Sequence, residues 1–443
     1  MNIPAIKIVI IGAGIGGLTC AIACRQSGLD VLVLEKSLYF APIGAGIQIP
    51  PNATRVLAQY NMLDQLLKDG VALDNYHLRR WQNGNVLLDR GVKNESELPW
   101  LVIHRADYHR ILVDEAERLG VKIRLGSNVE MVKFEQSTVF LSGGEVIAGD
   151  VIVGADGIWS NLRNQLLQHP SPPLETGDLA YRATLARSSL SSLHDPAIED
   201  LMNKHTVTLW MGPYSHAVFY PMRSGEEFNL VLLCPDNLPP SVRTQPGNLE
   251  EMREVFKGWD PVISKIISKA REKPVLKWKL LHHKELTKWT RGSVALLGDS
   301  CHPSLPYQAQ GAAMAVEDAA VLGTLLGLYQ TSLSTSSVAR QTTIPEVLKL
   351  YESLQKERTT TNVQGAVSNR SMYHMVDGPE QEERDKILMN TKHALLEGDG
   401  NGKFIFIDSG YQKKLLRRDS VVDARRAWQE WTDKINGKSF VSK

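Results

Sequence analysis

The sequence predicts an α/β protein in which a nucleotide-binding sheet carries an inserted β-sheet unit and a helical C-terminal region. Three observations predict this class. An apolar β-rich run at residues 6–11 leads directly into Gly12-x-Gly14-x-x-Gly17 and a helical stretch. Two later apolar runs, 151–153 and 293–297, end in Gly154-Ala155-Asp156-Gly157 and Gly298-Asp299. A strand-rich stretch from about 178 to 235 lies between them, and helical patterning fills the last hundred residues. The first of these is a Rossmann-like β-α-β unit: strand 6–11, helix 18–27 closed by Gly28, and strand 31–35.

The elements follow in order. Residues 50–70 read as helical, 71–90 alternate as antiparallel strands, and 106–119 form a helix ended by Gly120. Short strands are expected at 121–125, 129–134 and 138–141. The strand-rich stretch is broken by a polar, Ser-rich segment at 187–205. Prolines at 235, 239, 240 and 246 mark a loop before a helix at about 248–270, and another helix runs from about 311 to 328. Residues 330–343 read as an exposed Ser/Thr linker. The expected domains are 1–180 (nucleotide binding, with 71–100 adding strands to the second unit), 181–275 (a substrate-binding β-sheet), 276–330 (the rest of the first domain) and 344–443 (helical).

Bulk properties narrow the partners. A formal net charge of +1 on 443 residues gives no electrostatic reason to expect nucleic acid or an anionic membrane. No apolar stretch reads as a membrane span, and the run at 6–11 is too short for one. The cysteines, Cys20, Cys24, Cys234 and Cys301, form no C-x-x-C pair and no His/Cys cluster with zinc spacing, so no metal site is expected. A reducing, cytoplasmic setting fits best.

The glycine motif has a physical reading. Gly12 permits the tight turn, Gly14 lets a pyrophosphate approach the backbone, and Gly17 lets the helix pack on the strand. The N-terminus of the following helix supplies free N–H groups and a positive dipole end, and Ile15 in the glycine loop is a candidate contact to the cofactor. Glu35, with Lys36 after it, ends the second strand where ribose hydroxyls would lie. This motif alone does not separate FAD from NAD.

Together with Asp156-Gly157, Gly298-Asp299, Pro306 and Gly311-Ala312, it resembles the three fingerprints of the class A flavoprotein monooxygenases, the family of p-hydroxybenzoate and salicylate hydroxylases. The likeness extends over residues 6–330 and is most specific at 297–312. It implies a glutathione-reductase-type FAD domain, with Asp299 on the ribityl chain and Asp156 serving FAD and, transiently, the nicotinamide donor. It also implies that Gly46 and Gln48 lie in a loop beside the flavin, and that Arg105 or Arg110 reaches FAD from a helix start. The helix at Gly311 would aim its N-terminus at the flavin's pyrimidine end, where negative charge appears on reduction. Gln308 and Gln310 would touch the flavin edge. Pro306 departs from a hydroxybenzoate 6-hydroxylase subgroup that has Gln there, which leaves that regiochemistry in doubt. His302 and Cys301 read as loop-shaping residues. The chain has no second nucleotide fold and no redox Cys pair, which separates it from disulfide reductases.

For the substrate, strand periodicity puts His216, Val218 and Tyr220 on one face. The segment resembles the His-x-Val-x-Tyr-Pro strand of salicylate-type hydroxylases, though a satisfied sheet histidine and a core tyrosine give the same pattern. Arg182 can pair with a substrate carboxylate or phenolate, or make a structural salt bridge. Fungal relatives that dearomatise polyketide phenols pair a strand Arg with a later Tyr, a loose match to Arg182 and Tyr214. Arg79 and Arg80 are weaker candidates.

The resemblance implies the reaction: NADH or NADPH reduces FAD, O2 adds at flavin C4a, and the hydroperoxide hydroxylates an electron-rich aromatic small molecule. Dearomatisation, epoxidation or indole oxidation in fungal secondary metabolism is the alternative, and a flavin-binding protein without catalysis is a reading of another class. The expected assembly is a monomer or homodimer, its C-terminal helices capping the FAD domain or packing on a second subunit.

Overall fold

The computed structural model describes residues 4–41, 44–93, 95–270, 275–335, 342–391, 395–400 and 402–435. Two sheets organise it. The first has six strands in the order Thr290–Arg291, Val294–Leu296, Val151–Gly154, Lys7–Ile11, Asp30–Leu34, Lys122–Arg124. Its four inner pairings are parallel, and only the short Thr290–Arg291 edge runs antiparallel. Ile8, Val9 and Ile10 of the central strand are wholly buried, as a strand covered on both faces requires.

The second sheet has eight strands, in the order Thr244–Pro246, Leu276–His282, Leu174–Ala186, Glu227–Pro235, Ser215–Met222, Thr206–Gly212, Asn75–Arg80, Val86–Gly91. All neighbours are antiparallel except Thr206–Gly212 beside Asn75–Arg80. A smaller sheet has three strands in the order Gly46–Ile49, Leu101–His104, Val71–Ala72.

Helix Gly311–Thr335 packs directly on helix Ile15–Gln26 through small residues. A Cβ at Gly323 would stand 2.7 Å from the Ala23 Cβ and 2.9 Å from its carbonyl carbon, and one at Gly327 would stand 2.5 Å from the Ser27 Cβ. The segment Gly311–Leu333 is long and apolar enough to cross a membrane, which corrects the sequence reading that no such stretch exists. It is hydrophobic all round because it is enclosed by protein: 83% of its apolar window is buried.

Other departures have local causes. Residues 187–205 hold two short helices, Arg187–Ser191 and Pro196–Met202, the second capped by Asp195, whose carboxylate accepts from the N–H groups of Ala197 and Ile198. The helix expected at 248–270 is two, Leu249–Val255 and Pro261–Lys269, divided by Gly258 (φ +78°) and restarted by the Asp260 cap. Within the expected linker the helix continues to Thr335, residues 336–341 lie outside the described residues, and Thr343 opens the next helix through a capping box with Glu346. That helix, Ile344–Tyr373, lies across both sheets and carries the C-terminal region onto them.

Gly323→Leu should lower stability by about 1–3 kcal/mol or more, because backbone of the facing helix cannot yield as a side-chain tip does. The midpoint of urea unfolding measures it.

Candidate active site

The nucleotide loop is built by backbone approach. Gly12 has φ +105°, and its N–H donates to the Leu34 carbonyl at 2.8 Å, tying the turn to the second strand. A Cβ at Gly12 would meet the Ala155 carbonyl oxygen at 2.4 Å, and one at Gly17 would meet the Gly12 carbonyl oxygen at 2.0 Å. At Gly14, by contrast, a Cβ would find no atom within 4 Å, and this residue faces a cavity. Two glycines therefore serve packing of the chain on itself, and the third leaves room for a ligand. Helix Ile15–Gln26 begins with no side-chain cap and no acidic residue in its first turn. Its first N–H groups are the donors an anion would use. Glu35 receives the N–H groups of Ala13 (2.8 Å) and Ser37 (2.9 Å). Burial opposes its charge, but these hydrogen bonds outweigh that and hold its carboxyl below the usual range.

The cavity, of about 420 Å³, runs from this loop to the eight-stranded sheet. Gly14, Ile15, Ala155, Gly157, Gly298 and Asp299 form one end, and Pro306, Gly311, Ala312 and Ala315 form one side. Helix Gly311–Thr335 thus brings a second N-terminus without acidic residues to the same space. Asp299 lines the cavity, and its side chain is exposed to that space. Burial raises its carboxyl pKa, against the opposing pull of His302 and Arg105. Arg105, on the wall beside Gly46 and Gln48, is mainly desolvated and is favoured in its charged form by Asp299.

The far end belongs to the sheet: Arg182, His216, Val218, Tyr220, Val231 and Leu233. Arg182 is half-buried, its buried Nε has no hydrogen-bond partner, and no carboxylate among the described residues lies within ion-pair distance. Burial lowers its pKa, and the facing Tyr220 offsets part of that. Burial likewise pushes the Tyr220 phenol up, with Arg182 opposing. The Tyr220 ring lies on Gly46, where a Cβ would stand 2.4 Å from it, and the Gly46 N–H donates to Asn229 Oδ1 at 2.9 Å. His216 is buried, with Nδ1 2.7 Å from His374 Nε2. Burial first, then His374 and Arg370, hold its pKa well below the ordinary histidine value.

The comparisons with known proteins bear on this geometry. The family described as FAD binding domain matches residues 5–364. The FAD-dependent monooxygenase OpS4 of Beauveria bassiana is 40% identical over 86% of this chain and 89% of its own length. 3-Hydroxybenzoate 6-hydroxylase 1 of Aquipseudomonas alcaligenes is 33% identical over 72% of this chain and 80% of that protein. The chain belongs to the group A FAD-dependent aromatic monooxygenases. The solved structure of a salicylate hydroxylase substrate complex, 23% identical, shares the monooxygenase's fold with a TM-score of 0.76 over 96% of this chain and 98% of that one.

The residues present fit FAD: the open face at Gly14, two helix N-termini without acidic residues in their first turns, and the Asp299 carboxylate with Arg105 line one continuous space. Of the residues read from sequence, the monooxygenase brings Gly14, Ile15, Gly46, Gln48, Arg105, Gly298, Asp299, Pro306, Gly311 and Ala312 to the wall, with Arg182, His216 and Tyr220 opposite. Others lie elsewhere. Arg110 points to the outer face of its helix, paired with Asp69 and Asp114, so of the two arginines only Arg105 reaches the cavity. Tyr214 sits at φ +55° in the two-residue turn between Thr206–Gly212 and Ser215–Met222 and is 63% exposed. The pairing of Arg182 with Tyr214 is therefore absent. Asp156 accepts from Ser160 Oγ (2.6 Å) and the Leu162 N–H (3.1 Å), bracing the first turn of helix Asn161–Leu167, whose N-cap is Ser160. Lys36 is exposed. Gln308 donates to the Tyr411 hydroxyl and Gln310 pairs with Asn52, so neither lines the cavity. Arg79 lies over Trp210 and Arg80 pairs with Asp377, both off the cavity.

His302 has a partner the sequence reading missed. Its Nε2 lies 2.5 Å from Asp318, which also accepts from the Gly298 N–H (2.9 Å) and Gln355 Nε2 (2.7 Å). With Cys301 these form a compact buried trio, but the Asp318 oxygens are engaged in bracing the Gly298-Asp299 turn to helix Gly311–Thr335. Asp318 stands sixteen positions after His302, outside any local motif.

Two outcomes follow from this geometry. Gly14→Ala should fold normally and bind FAD more weakly, whereas Gly17→Ala should lose folded protein; thermal unfolding and flavin fluorescence quenching separate the two. Burial disfavours the His302 imidazolium, yet Asp318 and Cys301 raise its pKa well above the ordinary value. The stability it contributes is complete below about pH 6.5 and fades as pH rises through the raised value. The deficit of His302→Gln in urea unfolding, about 3 kcal/mol at neutral pH, should therefore narrow in alkali.

Proposed function

We propose that this monooxygenase hydroxylates a phenolic or other electron-rich aromatic small molecule seated between the flavin end of the cavity and Arg182, His216 and Tyr220. The single observation that supports this most is Arg182, a half-buried arginine on the cavity wall whose buried Nε is unpartnered, with no carboxylate beside it among the described residues. A partly desolvated cation without a counter-charge is costly to keep, and a phenolate or carboxylate of the substrate would neutralise it. FAD, once reduced by NADH or NADPH, supplies activated oxygen from O2.

The chain's own residues do the rest. Val218, Val231 and Leu233 give the ring an apolar bed and exclude water. Arg182 holds the anionic oxygen. Tyr220, kept protonated by burial, donates a hydrogen bond. His216, kept neutral at pH 7, takes the phenol proton at Nε2, since its Nδ1 is engaged with His374. Asp299, Arg105 and Gly311-Ala312 hold the flavin end, within a division of FAD-binding segments (1–180 and 276–330), an inserted sheet and a helical C-terminal part. The enzyme would work in the cytoplasm.

A panel of salicylate, 3-hydroxybenzoate and resorcinol-type phenols, followed by NADH or NADPH consumption and by mass analysis for oxygen from 18O2, tests the reading. Expected is one labelled oxygen per product; no phenol-stimulated consumption across the panel counts against it. Arg182→Met should raise KM for acidic phenols at least tenfold. His216→Gln should lower hydroxylation by about 10²-fold and release more H2O2 per nicotinamide oxidised.

A further inference from the structure

The proton that leaves the substrate needs a destination, and the structure places one behind His216. His374 is the C-cap residue of helix Ile344–Tyr373, its backbone N–H bonded to the Arg370 carbonyl at 3.0 Å. It lies ten residues beyond the stretch matched by the family. Its imidazole is buried, Nε2 faces His216 Nδ1 at 2.7 Å, and Nδ1 has no partner. Tyr307 and Tyr373 pack on His216 at centroid distances of 5.3 and 5.4 Å, so the pair is held edge to edge within an aromatic frame.

A 2.7 Å N···N contact holds one proton between the rings. The charged groups around it are Asp178 and Arg370, paired with each other, with the Tyr307 hydroxyl donating to Asp178 at 2.5 Å. Burial, and after it Arg370, pushes His374 down to about 4 against the pull of Asp178. Burial and His374 hold His216 low as well. Before substrate arrives, the two rings therefore carry two protons and no charge.

We infer that His216 and His374 form a proton-relay pair, in which His374 takes up through His216 the proton released by the bound phenol. This rests on the reading of His216 as the base. The phenol O–H bond breaks and its proton goes to His216 Nε2. The Nδ1 proton of His216 passes to His374 Nε2, which already holds its own proton at Nδ1. The products are a phenolate beside Arg182, a neutral His216 donating its Nε2–H to that phenolate, and an imidazolium at His374. Two features favour the charge there over His216. A cation at a helix C-terminus meets the negative end of the dipole, and Asp178 is the carboxylate that raises the affinity of His374 for a proton. His374 does not line the cavity, so it is a positioning residue that acts through His216.

The test uses the FAD-loaded enzyme labelled with [15N]histidine. The wild type should show one imidazole N–H shared between the two residues, lost in both His216→Gln and His374→Gln. With the panel phenol that drives the fastest NADPH consumption, His374→Gln should lower hydroxylation kcat about tenfold with little change in KM, and displace the acid limb of the pH–rate profile. Glutamine can keep a hydrogen bond to His216 but cannot carry the proton onward, so wild-type kcat, coupling and pH profile in a FAD-loaded His374→Gln would overturn the relay. Absence of a shared N–H in the wild type would also overturn it. If His374→Gln fails to hold FAD, the shared N–H signal of the wild type still decides. Should His216→Gln itself leave kcat and coupling unchanged, the base assignment fails; should it uncouple while His374→Gln does not, only the relay fails.

Discussion

The contact on which the rest depends is the close packing of helix Ile15–Gln26 against helix Gly311–Thr335. Small residues line it at three levels, with Gly16 against Ala315, Gly323 against Ala23, and Gly327 against Ser27. Any larger side chain would push the axes apart. Because both helices start at the cavity, this one packing decision delivers two N-termini without acidic first-turn residues, with their positive dipole ends, to a shared space. Asp318 reinforces the arrangement by binding the Gly298 N–H from the second helix, and His302 and Gln355 complete the brace.

Polar groups at the cavity divide by how they are held. Those near the nucleotide loop are saturated by their own surroundings: Glu35 by the Ala13 and Ser37 N–H groups, Asp156 by Ser160 and Leu162. At the sheet end Arg182 keeps an unpaired Nε, and Asn229, which fixes Gly46, keeps an unpaired Nδ2. Unpaired buried polar groups are costly, and a ligand in the cavity would complete Arg182, which lines it. The C-terminal helices contribute to the same end. They close the sheet with Tyr373 and His374, and they hold Asp178 through Arg370.

Much of this was legible in the chain because the motifs are local. A turn that needs Gly12 at φ +105° and a helix that needs Gly17 against a carbonyl must be written as G-x-G-x-x-G. The face shared by His216, Val218 and Tyr220 followed from strand periodicity alone. Choosing between Arg105 and Arg110 did not, because five residues on a helix turn a side chain by more than a quarter circle and only packing says which face is inward. Tyr214 was misplaced for a similar reason: one residue before the strand, it falls in the turn and faces solvent. His302–Asp318 and His216–His374 were invisible, since their partners are 16 and 158 positions apart.

The sequence by itself determined a dinucleotide site, the α/β class and the order of the elements, because each is enforced by short-range backbone geometry and hydrophobic period; FAD in particular came from the resemblance of the later motifs to the flavoprotein family. Only the tertiary structure decided which polar groups meet the cavity, which are used up in capping and bracing, and that a histidine from the last helical region stands behind His216. Those outcomes depend on distances between segments far apart in the chain, and local patterns carry no record of them.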